Sequence, residues 1–439
     1  MGQNGTATSG RGLTGMQIVS TIRMVAKMHE KCDCECSAAN NPVVLNENWC
    51  AHTQSPRTGV AARFSQLPKE AYTERAVHRF MIEGEEVEVC EYAPKVFCLI
   101  RNINCIKSKK FIDEWTFSAG HTKMKLSAGR SKAFFISSKN LLFLSKTIAK
   151  EESEVLADIL ESYTQYLLTH PNSLLSRFYM LLNMRVGKKV GYILCNSDVF
   201  ANAATLDEKW DIKGRMPKLG KFFYIPHLVP HTYDPNQTEV VVHATEKRIN
   251  DALNIARSGA ACKQEVATKH DKDLTRMFWI KRGRREQFIR QLLSDYAYLA
   301  SENLMDYSLL IGVASNGCNS SISGNEDASC EGSSQMQARP LSAHLSQVGP
   351  FAFRSQDSLS ERSRQCLVSM YEKGIPSVLD QEVYYIGIID VLTRYTVKKK
   401  LANFCKSFLW AQRTLSTIPP KRYQRRINKY TQIIFPKVC

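Results

Sequence analysis

The sequence predicts an α+β protein built as two lobes, and three observations carry that expectation. A chain of 439 residues with 44% hydrophobic side chains has enough apolar mass for one large two-lobed domain, or for two to three small ones. Strand-like runs alternate with helical ones between residues 94 and 212. Three later apolar segments are each interrupted by a single carboxylate.

Taken in order, residues 1 to 72 are rich in Gly, Ser, Thr, Asn and Pro and read as an irregular appendage. The exception is an amphipathic stretch, residues 16–28, with helical spacing. The globular domain is expected over residues 73–439. It opens with a helix over 94–106, followed by strand-like runs over 132–136 and 140–145. A helix over 151–169 begins with three glutamates and is stopped by His170-Pro171; strands follow over 190–195 and near Asp211. Residues 315–376 combine Asn316-Gly317 with a long Ser/Gly/Asn-rich stretch, which predicts a disordered insertion projecting from the domain.

The net charge of +17 points to a polyanionic partner. From residue 391 to 439 there are twelve Lys and Arg residues and no Asp or Glu, interleaved with Leu401, Phe404, Phe408, Leu409, Trp410 and Ile418. That mixture suits an anionic lipid surface, worth about 1 kcal/mol per cation near it, with a solvated basic helix as the plainer alternative. Nucleic acid is not expected as a partner, because no zinc-finger, RNP or helix-turn-helix pattern accompanies the charge. No apolar run is long enough to span a bilayer, and the N-terminus lacks a signal-peptide core.

Fourteen scattered cysteines do not form a disulfide framework and fit a reducing, cytoplasmic setting. Met1-Gly2-Gln3-Asn4-Gly5-Thr6 matches the N-myristoylation pattern at Gly2. One such chain anchors weakly, so a second signal is needed, from the basic tail or from acylation within Cys32-Asp33-Cys34-Glu35-Cys36. The same cysteines offer zinc ligands together with His29, Cys50 or His52, although alternate-residue spacing suits a tetrahedral site poorly.

Strand, glycine-containing turn, strand, lysine and acid-rich helix is the order of an ATP-binding kinase N-lobe. Phosphoryl transfer needs a loop over the phosphates, a lysine on them, a carboxylate for magnesium and a carboxylate near the attacking hydroxyl. The turn containing Gly129 and Ser131 offers backbone N–H groups to phosphate, or is simply a turn. Lys146 ends the apolar strand and points toward phosphates. Glu151, Glu152 and Glu154 follow, as ion-pair partners or as favourable charges at a helix N-terminus. The lone carboxylates are Asp211 in Trp210-Asp211-Ile212-Lys213-Gly214, Asp306 in Asn303 to Gly312, and Asp390 after Tyr385-Ile386-Gly387-Ile388-Ile389. A carboxylate in apolar sequence is costly to bury without a metal, a cation or a donor, so each marks a site or a paired structural acid.

Met305-Asp306-Tyr307-Ser308-Leu309-Leu310, Asp211-Ile212-Lys213-Gly214 and Gly387-Ile388-Ile389-Asp390 resemble the signature blocks of the phosphatidylinositol phosphate kinases. Glu91-Tyr92-Ala93-Pro94-Lys95-Val96-Phe97, His170 to Leu175, Lys272-Asp273-Leu274 and Lys399-Lys400-Leu401 add matches in family order. The resemblance implies a divergent protein-kinase-like fold with an antiparallel β-rich N-lobe, an α/β C-lobe and a flat basic membrane-facing surface. It implies ATP and Mg2+, a phosphatidylinositol monophosphate in an anionic membrane as substrate, and peripheral attachment at the cytosolic face. The family includes dimers, so a homodimer is among its implications. Carried over, Lys146 is the ATP lysine with Glu154 as its partner, Asp306 serves the inositol hydroxyl, and Asp390 binds magnesium. Lys213 lies near the phosphates, Asp211 shapes its strand, and Lys399 and Lys400 grip the lipid phosphate.

The chain departs from the family pattern at Lys132, where the Gly-rich loop usually has a second glycine, and at Arg215, where serine is typical. Ala402 is the family's 5-phosphate 4-kinase marker, whereas the spacing from Lys406 through Thr414, Ser416, Pro420 and Tyr423 to Arg426 follows the 4-phosphate 5-kinases. The longer register favours a 5-kinase. A 4-kinase, or a phosphoinositide-binding scaffold that has lost turnover, are the alternatives.

Overall fold

The computed structural model describes residues 12–30, 67–117, 124–126, 133–215, 241–242, 266–274, 276–315, 371–396 and 418–438. Two sheets organise them. The first has seven strands, all antiparallel: β1 (Arg75–Ile82), β2 (Glu85–Tyr92), β3 (Met124–Leu126), β4 (Phe134–Ser137), β5 (Phe143–Ile148), β6 (Phe178–Val186) and β7 (Lys189–Ser197). They run in the order β1-β2-β6-β7-β5-β4-β3. β1 and β2 meet at Glu83-Gly84, both at positive φ, the geometry that a tight two-residue hairpin requires.

Helix α1 (Gly15–Met28) packs on this sheet. Thr14 and Gln17 close a capping box at its start. Ile18, Val19, Ile22, Val25 and Ala26 recur at three- and four-residue spacing and are all buried. The expectation of an irregular appendage over 1–72 is therefore corrected for this stretch: its apolar stripe completes the core against the first hairpin and a later short helix. A turn of helix, α2 (Glu70–Thr73), packs on α3 (Pro94–Ile103), which covers β6, and α4 (Ser108–Glu114) packs on α1. Helix α5 (Lys150–Thr169) follows β5, with Glu152 accepting the Ala149 N–H at 2.8 Å.

The second sheet contains β8 (Glu208–Ile212), β10 (Thr268–His270), β11 (Ser308–Ser315), β12 (Ile375–Pro376) and β13 (Glu382–Ile389), in the order β10-β8-β11-β13-β12. Only β10 and β8 are parallel. Helices α6 (Arg282–Ser301) and α7 (Pro420–Ile434) pack together beside it. Tyr423, Ile427, Tyr430 and Ile434 of α7 and Phe288, Leu292 and Tyr296 of α6 are buried in the common core. A short parallel pair joins β9 (Val241–Val242) to β14 (Lys437–Val438). The bounds 315–376 expected for an insertion include residues that are structured at both ends. Ser315 completes β11, Tyr371 is buried, and residues 375–376 form an edge strand, while 316–370 lie outside the described residues.

The two lobes are stitched at residues 170–177. The Ile388 N–H donates to the Leu174 carbonyl at 2.7 Å, and the Ser176 N–H donates to the Ile388 carbonyl at 3.1 Å. Asp295 of α6, fully buried, accepts the Leu174 N–H and the Tyr166 hydroxyl, each at 2.8 Å. A carboxylate with several donors tolerates burial, and here it locks a loop of one lobe to a helix of the other. Glu208, Arg276 and Glu382 form a second buried knot, with Arg276 bidentate to Glu382 and 3.1 Å from Glu208.

Candidate active site

Strand register alone gathers the site. Ser308 of β11 faces Ile389 of β13, and Leu309 faces Ile212 of β8. Asp306 stands just before β11, Asp390 just after β13, and Lys213 just after β8. Antiparallel pairing therefore delivers all three to the same end of the sheet. Lys146 comes from the other lobe, inside β5 rather than at its end, and its Nζ donates to Asp390 Oδ1 at 3.0 Å. Lys213 Nζ donates to the Asp306 carbonyl at 2.7 Å and lies 3.3 Å from its Oδ1. The Arg215 guanidinium reaches the same Oδ1 at 3.5 Å. The cleft thus holds two carboxylates and three cations from four separate segments.

Both acids sit at positive φ, +61° for Asp306 and +58° for Asp390. An L residue there costs on the order of 1 kcal/mol, a strain that persists only where surroundings enforce it and that concentrates at functional positions. Burial pushes the Asp390 carboxyl upward, but the charge and hydrogen bond of Lys146 and the charge of Lys213 outweigh it and hold it below the usual carboxylate range. An ionised carboxylate at the lip of the cleft is a hard oxygen donor of the kind Mg2+ takes, so the residues present fit that ion. The lysine ammoniums fit phosphate oxygens.

The turn carrying Lys213 is fixed from two sides. Asp271 accepts the Gly214 N–H at 2.8 Å and the Lys213 N–H at 3.2 Å. Burial raises its carboxyl to about 6, against the opposing effect of those donors. On the other side, Arg426 of α7 donates to the Lys213 carbonyl at 3.2 Å, and the Tyr423 hydroxyl donates to the Tyr307 carbonyl next to Asp306. One helix therefore braces both halves of the Lys213/Asp306 pair.

Of the residues expected at the site, Lys146, Lys213, Asp306 and Asp390 come together. Glu154 does not join them: it lies one helical turn from Lys150 and pairs with that lysine at 3.5 Å, while Lys146 is taken by Asp390. Asp211 faces His270 at 3.9 Å, one strand position before the end of β8. Gly129, Ser131, Lys132, Lys399, Lys400 and Ala402 lie outside the described residues, as do Gly2 and Cys32 to Cys36. Asp271 is a site-building residue that sequence reading does not single out, and Tyr423 and Arg426, named there only for the spacing of the C-terminal segment, brace the site in a way that spacing does not reveal. Asp271, two positions before Asp273 of the Lys272-Asp273-Leu274 block, is the one with a local signal.

The two lobes and the cleft between their sheets define a kinase-like α+β protein. The family model for phosphatidylinositol-4-phosphate 5-kinase matches residues 117–434, and the chain belongs to that family. Among similar proteins is the phosphatidylinositol 4-phosphate 5-kinase its3 of Schizosaccharomyces pombe, 24% identical over 86% of this chain and 51% of that protein. Phosphatidylinositol 4-phosphate 5-kinase 5 of Arabidopsis thaliana is 25% identical over 80% of this chain and 43% of its own length. Phosphatidylinositol 4-phosphate 5-kinase-like protein 1 of Homo sapiens is 27% identical over 70% and 66%. The chain spans about half the length of the first of these relatives.

Proposed function

We propose that this chain is an ATP-dependent lipid kinase that phosphorylates a phosphatidylinositol monophosphate, with the 4-phosphate lipid as substrate and phosphatidylinositol 4,5-bisphosphate as product. The observation that carries the reading is the convergence of Lys146, Lys213, Asp306 and Asp390 on one cleft between two sheets. Family membership supplies the substrate class.

Lys146, from the N-lobe sheet, binds and orients the nucleotide phosphates. Asp306 receives the proton of the inositol hydroxyl, or aligns that hydroxyl for attack, and Lys213 fixes its carboxylate by holding both its side chain and its carbonyl. Asp390 is the residue that would hold Mg2+, which would supply positive charge beside the nucleotide phosphates. Arg215 adds a third cation beside Asp306, suited to the charge carried by the transferring group or by the lipid phosphate.

Membrane contact is assigned to the basic C-terminal region. Lys421, Arg422 and Arg425 lie on the exposed face of α7, and no acid occurs after Asp390. Among the described residues no helix is long and apolar enough to cross a membrane. This reading places the protein at the cytosolic face, held by charge, with Lys399 and Lys400 on the lipid phosphate.

Ala402 favours the 5-phosphate lipid as a second reading. Labelled ATP supplied with vesicles carrying one monophosphorylated isomer at a time separates the two. Label in bisphosphate only from the 4-phosphate lipid is expected. Label only from the 5-phosphate lipid makes the chain a 4-kinase, and vesicle binding without any product makes it a scaffold.

A further inference from the structure

Far from the cleft, three metal-ligating side chains from three elements meet. His29 caps the C-terminus of α1, His78 lies in β1 and Glu91 in β2. The register pairs Ala76 with Glu91 and His78 with Val89, so His78 and Glu91 are diagonal neighbours on the same face of the hairpin. His29 Nε2 lies 2.8 Å and His78 Nε2 3.1 Å from the same oxygen, Glu91 Oε2. The three ligand atoms fall within 4.8 Å of one another.

We propose that His29, His78 and Glu91 bind one divalent transition-metal cation, with zinc the best match. Two imidazole nitrogens and one carboxylate oxygen are a ligand set that zinc uses, with bonds of about 2.0–2.2 Å. The observed separations between ligand atoms need only small side-chain adjustments to enclose an ion. Glu91 is 1% exposed, and a carboxylate so buried calls for positive charge nearby. The buried Arg101 offers partial compensation, but its guanidinium donates to the Tyr179 carbonyl at 2.6 Å. A divalent ion against Glu91 supplies the charge directly and accepts the nitrogen lone pairs of both histidines. Its role is to fasten α1 to the first hairpin, separate from phosphoryl transfer.

The full-length chain, stripped with chelator, is titrated with CoCl2. The expected result is one cobalt with visible ligand-field absorption and no thiolate charge-transfer band belonging to it. His29→Gln and His78→Gln each keep an amide donor for Glu91, and each is expected to weaken that binding at least about tenfold, the scale of far milder changes around metal ligands. In the unaltered chain, zinc is expected to protect both histidines from diethyl pyrocarbonate, read by peptide mass, a measurement that does not depend on the variants folding. The proposal is overturned if no cobalt binds, if its only signature is that of thiolates, if both variants bind it as wild type does, or if zinc leaves the labelling of the two histidines unchanged.

Discussion

Asp306 and Asp390 stand out in the sequence because each is a lone carboxylate in an apolar run, which calls for a cation, a donor or a metal beside it, although in the structure both are only partly buried. Both meet lysines, as that argument requires. Glu154 misleads for the opposite reason, since a helix N-terminus accepts glutamates whether or not they reach a lysine, and its true neighbour is Lys150. Asp271 is hidden because its role arises only when the turn after β8 folds onto it from 57 positions away, and Arg215 stands out in sequence only as a departure from serine, since its neighbour Asp306 is brought to it by the fold. The Asp271 carboxyl, lifted by burial from 3.8 to about 6, gives a residue-scale prediction. Its neutral form is favoured by the fold, so its share of stability is full below about pH 3.8 and is lost as pH rises through about 6. The anion is the better acceptor for the turn that holds Lys213. Turnover is therefore expected to fall as pH drops through about 6, and Asp271→Asn should flatten that limb of the pH–kcat profile. An unaltered limb in the variant would assign it to another group.

At the scale of elements, strong helical periodicity reads well: the helix expected over 151–169 appears as Lys150–Thr169. The first hairpin is harder to see, because β1 alternates between exposed and half-buried residues and carries arginines and a histidine rather than a continuous apolar face. Helices α6 and α7 are dominated by charge in sequence, and the tyrosine and isoleucine stripe of α7 is easily taken for part of a solvated basic tail. That stripe is what braces the cleft. Gly214 sits at φ +67°, and a Cβ there would lie 3.3 Å from both Ile427 Cα and Tyr430 Cβ. Gly214→Ala combines backbone strain with crowding against α7 and is expected to cost about 1–3 kcal/mol, measured as a lower urea midpoint, together with reduced kcat. Stability and turnover both equal to wild type would show that α7 does not clamp this turn.

For the molecule as a whole, sequence reading captures the two-lobed α+β plan and names Lys146, Lys213, Asp306 and Asp390, which pair in the structure, but places the N-terminal boundary too late, since α1 belongs to the first lobe. A short apolar stripe flanked by Gly- and Ser-rich sequence carries no local sign of the sheet it covers. Ile22 is fully buried in that interface, so Ile22→Ala is expected to lower stability by about 2–5 kcal/mol in chemical denaturation. A loss within a few tenths of a kcal/mol would return α1 to the role of an appendage. The central claim is that a lysine of one sheet and acids at the end of the other act together on one phosphoryl group. Its most direct test is γ-phosphate transfer from ATP to phosphatidylinositol 4-phosphate vesicles by the wild-type, Asp306→Asn and Asp390→Asn chains, each checked for folding. Product from wild type and a loss of at least about a hundredfold in kcat for both variants is the predicted result. Transfer at wild-type rate by either folded variant would contradict it.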